Sequence, residues 1–229
     1  MNPARVPRRD ACSMLVATAL GSLAAPWPAA ASAIALPAPA LIGKMSVEAA
    51  LQARRSVRSY TERPLALAEL SQLLWAAQGI SGAGGLRTAP SAGALYPLEV
   101  YVAVGSVTGL PAGVYRYRPD GHRLEPVSAG DPRAELAAAA LGQRWVARAP
   151  ASVVLAAVPE RTTRRYGRRG LMYVHMEVGH AAQNLLLQAV ALGLGSVAVG
   201  AFDDPRVSTV VALRADERPM MILPVGHRR

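Results

Sequence analysis

The stretch Arg54-Arg55-Ser56-Val57-Arg58-Ser59-Tyr60 places three cations within five residues, with a hydroxyl among them. It follows a short segment of good helix formers that Ser46 opens as an N-cap, so it lies at the end of a predicted helix. Guanidinium groups are forked donors that match phosphate oxygens, and a serine hydroxyl adds a further donor. The stretch therefore predicts a site for a small anionic group, although basic clusters are also typical of solvated helix ends.

Helical and extended patterns follow this stretch without regular alternation. The predicted helices cover 67–78, 131–141, 170–192 and 205–213, and the predicted strands cover 98–104, 113–117, 124–127, 152–158, 196–199 and 220–225. Asp120-Gly121 predicts a hairpin turn between the second and third strands. This mixture favours an α+β fold around a central, mostly antiparallel sheet flanked by helices.

The composition sets limits on the class of protein. The chain has 229 residues, a 52% apolar share and a formal net charge of +10, enough for one domain with a sizeable core. The cations are scattered and no basic stripe is interleaved with aromatic residues, so we expect no nucleic-acid partner. Cys12 is the only cysteine, and His175 and His180 are five residues apart, so no metal site is expected.

The N-terminal segment has the pattern of an export signal. Arg8-Arg9 precede an apolar run over 11–25, and Ala31-Ser32-Ala33 is a cleavage pattern. The adjacent arginines favour the twin-arginine route over the general route, and a cytoplasmic location is the alternative. The run is too short to span a membrane comfortably, so no stable membrane anchor is expected after cleavage. We therefore predict a signal over 1–33, a Pro/Ala linker over 34–43 and a domain over 44–229.

Two further segments contain small residues where a flat ligand could approach the backbone. Ala89–Pro97 is a loop of small residues before a strand, in which Tyr96 could lie beside a ring. The segment 196–202 ends a strand at Gly200, where no side chain crowds the backbone amide. An ordinary surface loop and a plain strand-to-helix connection are the alternatives for these two segments.

Five motifs together resemble the nitroreductase-like family of FMN-dependent oxidoreductases. They are Arg-Arg-Ser-Val-Arg at 54–58, Pro-Ser-Ala-Gly-Ala-Leu-Tyr-Pro at 90–97, Glu-Val-Gly-His-Ala-Ala-Gln-Asn-Leu at 177–185, Gly-Leu-Gly-Ser-Val at 193–197 and Pro-Val-Gly at 224–226. The resemblance covers residue 44 to the end, and it is closest to the branch that contains azoline dehydrogenases. It implies an intertwined α+β homodimer with two FMN sites between the subunits.

The resemblance also implies roles for particular residues. The residues implied to hold the phosphate and ribityl chain are Arg54, Ser56 and Arg58, with Arg228 or Arg229 completing the phosphate site; Arg55 occupies a position that often contacts the flavin. The residues implied to lie near the ring are Ser91, Ala92, Gly93 and Tyr96, and the amides of Gly200 and Ala201 are expected to face flavin N5.

One departure from the azoline dehydrogenases concerns a Lys-Tyr pair, which is Arg165-Tyr166 in this chain. Arginine does not lose its proton at ordinary pH, so it cannot replace lysine as a general base. Tyr166 can still donate or accept a proton, and it is the one candidate catalytic residue.

The resemblance implies ping-pong hydride transfer, with NAD(P)H as the expected donor and a small nitroaromatic or quinone-like molecule as the acceptor. The alternatives are an FMN-dependent substrate dehydrogenase or oxidase of azoline type that uses oxygen, and a non-catalytic flavin-binding module. A fold relic that has lost FMN is a further alternative.

Overall fold

The computed structural model describes residues 32–229, whose strands form one large sheet with helices on both faces. The seven strands of this sheet are β1 Ile34–Ala35, β3 Leu98–Val104, β5 Gly113–Arg118, β6 Arg123–Ala129, β7 Ala151–Ala157, β8 Leu194–Ser196 and β9 Arg218–His227. A separate pair, β2 Leu65–Ala66 and β4 Val107–Thr108, is parallel. The export signal predicted over 1–33 lies almost wholly outside the described residues.

The large sheet has the strand order β1-β6-β5-β3-β7-β9-β8, and every neighbouring pair is antiparallel. Strand β7 lies near its middle and is buried along its whole length. Val153 and Leu155 face one core, and Val154 and Ala156 face the other. Because both faces are covered, the strand is a continuous apolar run rather than an alternating one.

Seven helices cover the two faces among the described residues. They are α1 Val47–Ala53, α2 Leu67–Gln78, α3 Arg133–Ala139, α4 Arg144–Arg148, α5 Glu160–Tyr166, α6 Arg169–Ala191 and α7 Asp204–Val210. The first core contains apolar side chains of α2 and α6, whereas the second contains those of α3, α4 and α7. No helix within residues 32–229 combines the length and apolar content that crossing a bilayer requires.

The fold class predicted from the sequence is confirmed, and several elements match closely. Helix α2 has the predicted bounds, and the β5–β6 hairpin turns at the predicted place. The strand predicted over 196–199 lies instead at Leu194–Ser196, and Val199 makes only an isolated bridge with Ile222. Helices α4 and α5 were not predicted, because they are short and the Arg-rich α5 sequence has no apolar period.

The segment 34–43 differs from the predicted linker over its first seven residues. Ile34–Ala35 pairs with β6, and Leu36 is buried. The Ser71 hydroxyl donates to the Pro37 carbonyl, and the Ala40 amide donates to Gln72 Oε1. These residues are therefore packed onto the domain, and they belong to its fold.

Strand β8 packs so closely against the Arg54–Tyr60 stretch that it requires a glycine. A Cβ at Gly195 would lie 2.5 Å from Val57 Cγ1 and 3.2 Å from Arg228 Cγ. We expect Gly195→Ala to lower the free energy of unfolding by about 1–3 kcal/mol, because the stiff valine has to move. Urea denaturation would measure this. Gly43→Ala is the control, since nothing lies within 4 Å of its Cβ position. Equal losses in both variants would contradict the packing argument.

Candidate functional site

The Arg54–Tyr60 stretch is held against β8 by backbone contacts. Ser56 forms a parallel bridge with Ser196, and the Val57 amide donates to the Ser196 carbonyl at 3.0 Å. The buried Tyr60 hydroxyl lies within hydrogen-bond distance of the carbonyls of Val57 and Pro224, at 2.8 and 3.2 Å. The turn after α1 is therefore fixed relative to the edge of the sheet, and its three arginines are attached to this fixed backbone.

The C-terminal arginines lie in the same place. Tyr60 bridges to Arg228, and the Thr61 amide donates to the His227 carbonyl at 2.9 Å. Arg228 Nε donates to the Leu194 carbonyl and Arg229 Nε to the Tyr60 carbonyl, at 3.1 and 3.0 Å. Each side chain is thus anchored through Nε, so its terminal nitrogens stay available to a ligand.

The five arginines of this region, Arg54, Arg55, Arg58, Arg228 and Arg229, are called the arginine cluster below. Within residues 32–229, none of them has a carboxylate within 4 Å. Arg55 Nη1 donates to the carbonyls of Gln52 and Arg54 at the end of α1, and its contact with the flavin stays a prediction. Arg58 lies 5.5 Å from the centre of the Trp145 ring. The cluster therefore carries positive charge that no carboxylate of residues 32–229 neutralises by direct contact.

The backbone beyond β8 is open at the predicted position. Gly200 and Ala201 are exposed, and nothing lies within 4 Å of a Cβ built at Gly200. Their amides have no acceptor in the described part of the chain, whereas the Ala201 carbonyl accepts from Gln143 Nε2 at 2.8 Å. Ser196 pairs with Val225 and Val199 with Ile222, so Val199 lies about 10 Å along the sheet from Ser196, and the free amides follow directly after it.

The loop 91–96 packs against Arg165 and Tyr166. A Cβ at Gly93 would lie 2.7 Å from the Tyr166 hydroxyl and 3.0 Å from Arg165 Nη1, and the φ of Gly93 is +62°. Both the space and the backbone conformation therefore require glycine. Ala92 and Gly93 form part of a single 3-10 turn after Ser91. The structure thus brings Tyr166 to the loop that was predicted to pass near a flat ring.

Tyr96 ends this loop in a constrained conformation. Its φ is +45°, which is uncommon for a bulky residue, and its amide donates to the Ser91 hydroxyl at 2.9 Å. The Arg87 guanidinium lies 4.4 Å from the centre of its ring, and Arg161 Nη1 donates to its carbonyl at 3.0 Å. Three contacts therefore hold the tyrosine in place, and two of them come from arginines that sequence reasoning missed.

Within one chain, the loop 91–96 and the arginine cluster lie at opposite ends of the sheet. Strands β3 and β9 both pair with β7, and Leu98 and Arg218 both lie opposite Ala157. Strand β9 then runs nine residues to His227, which is about 30 Å. The loop precedes Leu98, and the arginine cluster surrounds the residues after His227. A single chain therefore does not bring all the predicted site residues together.

Sequence reasoning also missed the role of Glu177, a buried carboxyl on α6. It is 2% exposed, and its Oε1 has no hydrogen-bond partner among residues 32–229. Burial raises the pKa of Glu177 to about 7, and a hydrogen bond with Ser91 and the charge of Arg87 oppose this rise. The signal was present in the sequence, since Glu177 occupies the apolar stripe formed by Val174, Val178 and their neighbours.

Comparisons with known proteins agree with this geometry. Residues 51–227 match the nitroreductase family. A nitroreductase-type protein of Methanocaldococcus jannaschii is 48% identical over 187 residues, which cover 82% of this chain and 93% of that protein. The crystal structure of a nitroreductase-type protein from Ralstonia eutropha has a TM-score of 0.78 at 33% identity, covering 91% of this chain and 96% of the other.

Two more distant structures share the fold alone. The Escherichia coli microcin synthetase complex McbBCD has a TM-score of 0.67 at 23% identity, with 88% of this chain and 79% of the other covered. The NADPH:FMN oxidoreductase of Vibrio harveyi has a TM-score of 0.58 at 19% identity, with coverages of 80% and 68%.

The buried Glu177 carboxyl predicts a pH-dependent stability. Its pKa is raised in the folded state, so the protonated carboxyl contributes to the free energy of unfolding below about pH 4.5. This contribution is lost as the pH rises through about 7. We expect the wild-type protein to lose on the order of 2 kcal/mol of unfolding free energy between these pH values, as measured by urea denaturation. Glu177→Gln should not show this loss. Glu135→Gln, at an exposed position on α3, is the control that should keep the wild-type profile. The same profile in all three proteins would contradict the assignment.

Proposed function

The chain belongs to the nitroreductase family, and we propose that it is an FMN-dependent oxidoreductase that transfers hydride from NAD(P)H to a nitroaromatic or quinone-like acceptor. Members of the family are typically FMN-dependent NAD(P)H oxidoreductases. The observation that carries the proposal is the arginine cluster, which has no carboxylate within 4 Å among residues 32–229, together with two free backbone amides further along the same edge of the sheet. Such a site suits a ligand with a phosphate at one end and hydrogen-bond acceptors at the other.

The residues present fit FMN, which when bound supplies reversible hydride acceptance and donation. The arginine cluster would hold the phosphate through forked, charge-assisted hydrogen bonds, with the Ser56 hydroxyl as a further donor. The amides of Gly200 and Ala201 would donate to the ring edge and stabilise negative charge there. Because Gly200 has no side chain, the backbone can approach the ring closely. NAD(P)H and the acceptor would use the same site in turn, so the mechanism would be ping-pong.

The proposal includes a homodimer. The loop 91–96 lies about 30 Å from the arginine cluster of its own chain, so only a second chain can add this loop to the site. Helix α6 also exposes Leu171, Met172 and Met176, with nothing within 4 Å of a Cβ at Gly179. This apolar face suits a two-fold contact between copies. A monomeric mass of the FMN-bound protein in light scattering would contradict the arrangement.

A second candidate function is an FMN-dependent substrate dehydrogenase that passes electrons to oxygen. The contact between Tyr166 and Gly93 favours it, because it places a phenolic hydroxyl beside the predicted ring loop. Tyr166 would then exchange a proton with the substrate, while Arg165 would stay charged. We also propose export by a twin-arginine-like signal. NAD(P)H is scarce outside the cytoplasm, so export would favour this second candidate.

Removal of Arg54 tests the cofactor assignment. We expect Arg54→Ala to weaken FMN binding by about ten- to a hundredfold, because a charge-assisted hydrogen bond to the phosphate is lost. Fluorescence titration of the protein with FMN would measure the affinity. Arg123→Ala removes the same charge on β6, five strands away from β8, and should leave the affinity unchanged. A protein that neither carries FMN nor takes it up would refute all flavin functions.

Anaerobic reduction separates the candidate functions. We expect the FMN-loaded protein to lose its visible flavin absorbance when NADPH or NADH is added under nitrogen, and to regain it with a quinone. Flavin that NAD(P)H leaves oxidised would contradict the main proposal. In that case, reduction by a substrate followed by reoxidation with oxygen would support the dehydrogenase, and a loaded protein inert to both would be a flavin-binding module.

A further inference from the structure

A second cationic site lies away from the arginine cluster, in a cavity of about 350 Å³ at the end of the sheet where β3 begins. Five guanidinium groups line it, those of Arg87, Arg116, Arg118, Arg161 and Arg214. The only carboxylates in its lining are Glu99 and Asp120, among the described residues. The volume would hold roughly ten water molecules, so a small hydrated ion fits.

The carboxylates of the chain neutralise only part of this charge. Glu99 is shared between Arg116 and Arg161, at 2.7 and 2.6 Å. Glu217 adds a contact to Arg116 at 3.3 Å, and Glu125 lies 3.6 Å from Arg118. These pairs account for three of the five guanidinium groups.

The guanidinium groups of the other two arginines, Arg87 and Arg214, have no carboxylate within 4 Å in the described part of the chain, although the backbone amide of Arg214 donates to Glu217 Oε2 at 3.0 Å. The Asp120 side chain is 87% exposed, so solvent screens its charge. The cavity therefore keeps an excess of positive charge, and part of this charge is shielded from water.

Buried donors around the cavity also lack partners. The Nη1 of Arg116 and the Nε2 of Gln78 are buried without a hydrogen-bond acceptor among residues 32–229. Burial lowers the pKa of Arg87, and the charges of Glu99 and Glu177 oppose this shift. Unpaired buried donors and a desolvated cation are both costly, and an anion in the cavity would reduce that cost.

We propose that this cavity is a binding site for a tetrahedral oxyanion of the phosphate class, held by Arg87, Arg161 and Arg214. The ion is either free phosphate or the phosphate group of a nucleotide, because the forked donors match both. Arg87 links the site to the rest of the molecule, since it donates to Gln78 Oε1 at 2.8 Å and lies over the Tyr96 ring. Anion binding therefore orders the loop 91–96 through Tyr96.

Calorimetric titration of the full chain with inorganic phosphate tests the proposal. FMN is kept saturating, so that the arginine cluster is filled, and Arg54→Ala is titrated in parallel. We expect wild type and Arg54→Ala to bind phosphate alike at the cavity. Arg214→Gln should weaken binding about tenfold, and the exposed position of Arg214 makes a folding defect implausible as a cause. Arg218→Gln is the matched control, because Arg218 is exposed four residues away and does not line the cavity.

The two sources of the ion are separated by competition. Displacement of phosphate by 5′-AMP but not by adenosine would assign the cavity to a nucleotide phosphate, and failure of 5′-AMP to displace it would assign the cavity to the free ion. No phosphate binding, or equal binding by wild type, Arg214→Gln and Arg87→Gln, would overturn the proposal. Phosphate binding that only Arg54→Ala abolishes would also overturn it, because the ion would then occupy the arginine cluster.

Discussion

The antiparallel pairing of β7 with both β3 and β9 is the constraint on which the arrangement of the site depends. Since both neighbours run opposite to β7, they run parallel to each other, with Leu98 and Arg218 at the same end. The loop before β3 and the residues after β9 are therefore forced to opposite ends of the sheet. The apolar core on both faces of β7 prevents these strands from shifting in register.

Helix α6 lies across the first core from the sheet, and it also keeps the loop 91–96 and the arginine cluster apart. Its buried Glu177 lies beside Ser91, and its end at Leu192 leads directly into β8 and the arginine cluster. The fifteen residues between Glu177 and Leu192 span about 22 Å. Two independent elements thus hold the loop and the arginine cluster of one chain apart.

The sequence predicted those features that depend on local pattern. The apolar period of α2, the hairpin at Asp120-Gly121 and the basic stretch at Arg54–Arg58 are short-range signals, and each lies where it was expected. Arg87 and Arg161 carried no such signal, because their meeting at Tyr96 depends on a long-range contact between a loop and α5. The two hydrogen bonds of Arg55 to the end of α1 likewise depend on the folded geometry, and the sequence did not predict them.

The distribution of carboxylates explains how the chain tolerates so many arginines. Glu99 and Glu217 neutralise Arg116 inside the protein, and that network holds β3, β5 and the start of β9 together. The arginine cluster has no such partners in the described part of the chain, so its like charges repel one another. A ligand that binds the folded chain alone stabilises it by mass action. An anion that binds the arginine cluster would therefore stabilise the β8 edge, and binding of the proposed cofactor would be coupled to the stability of the site.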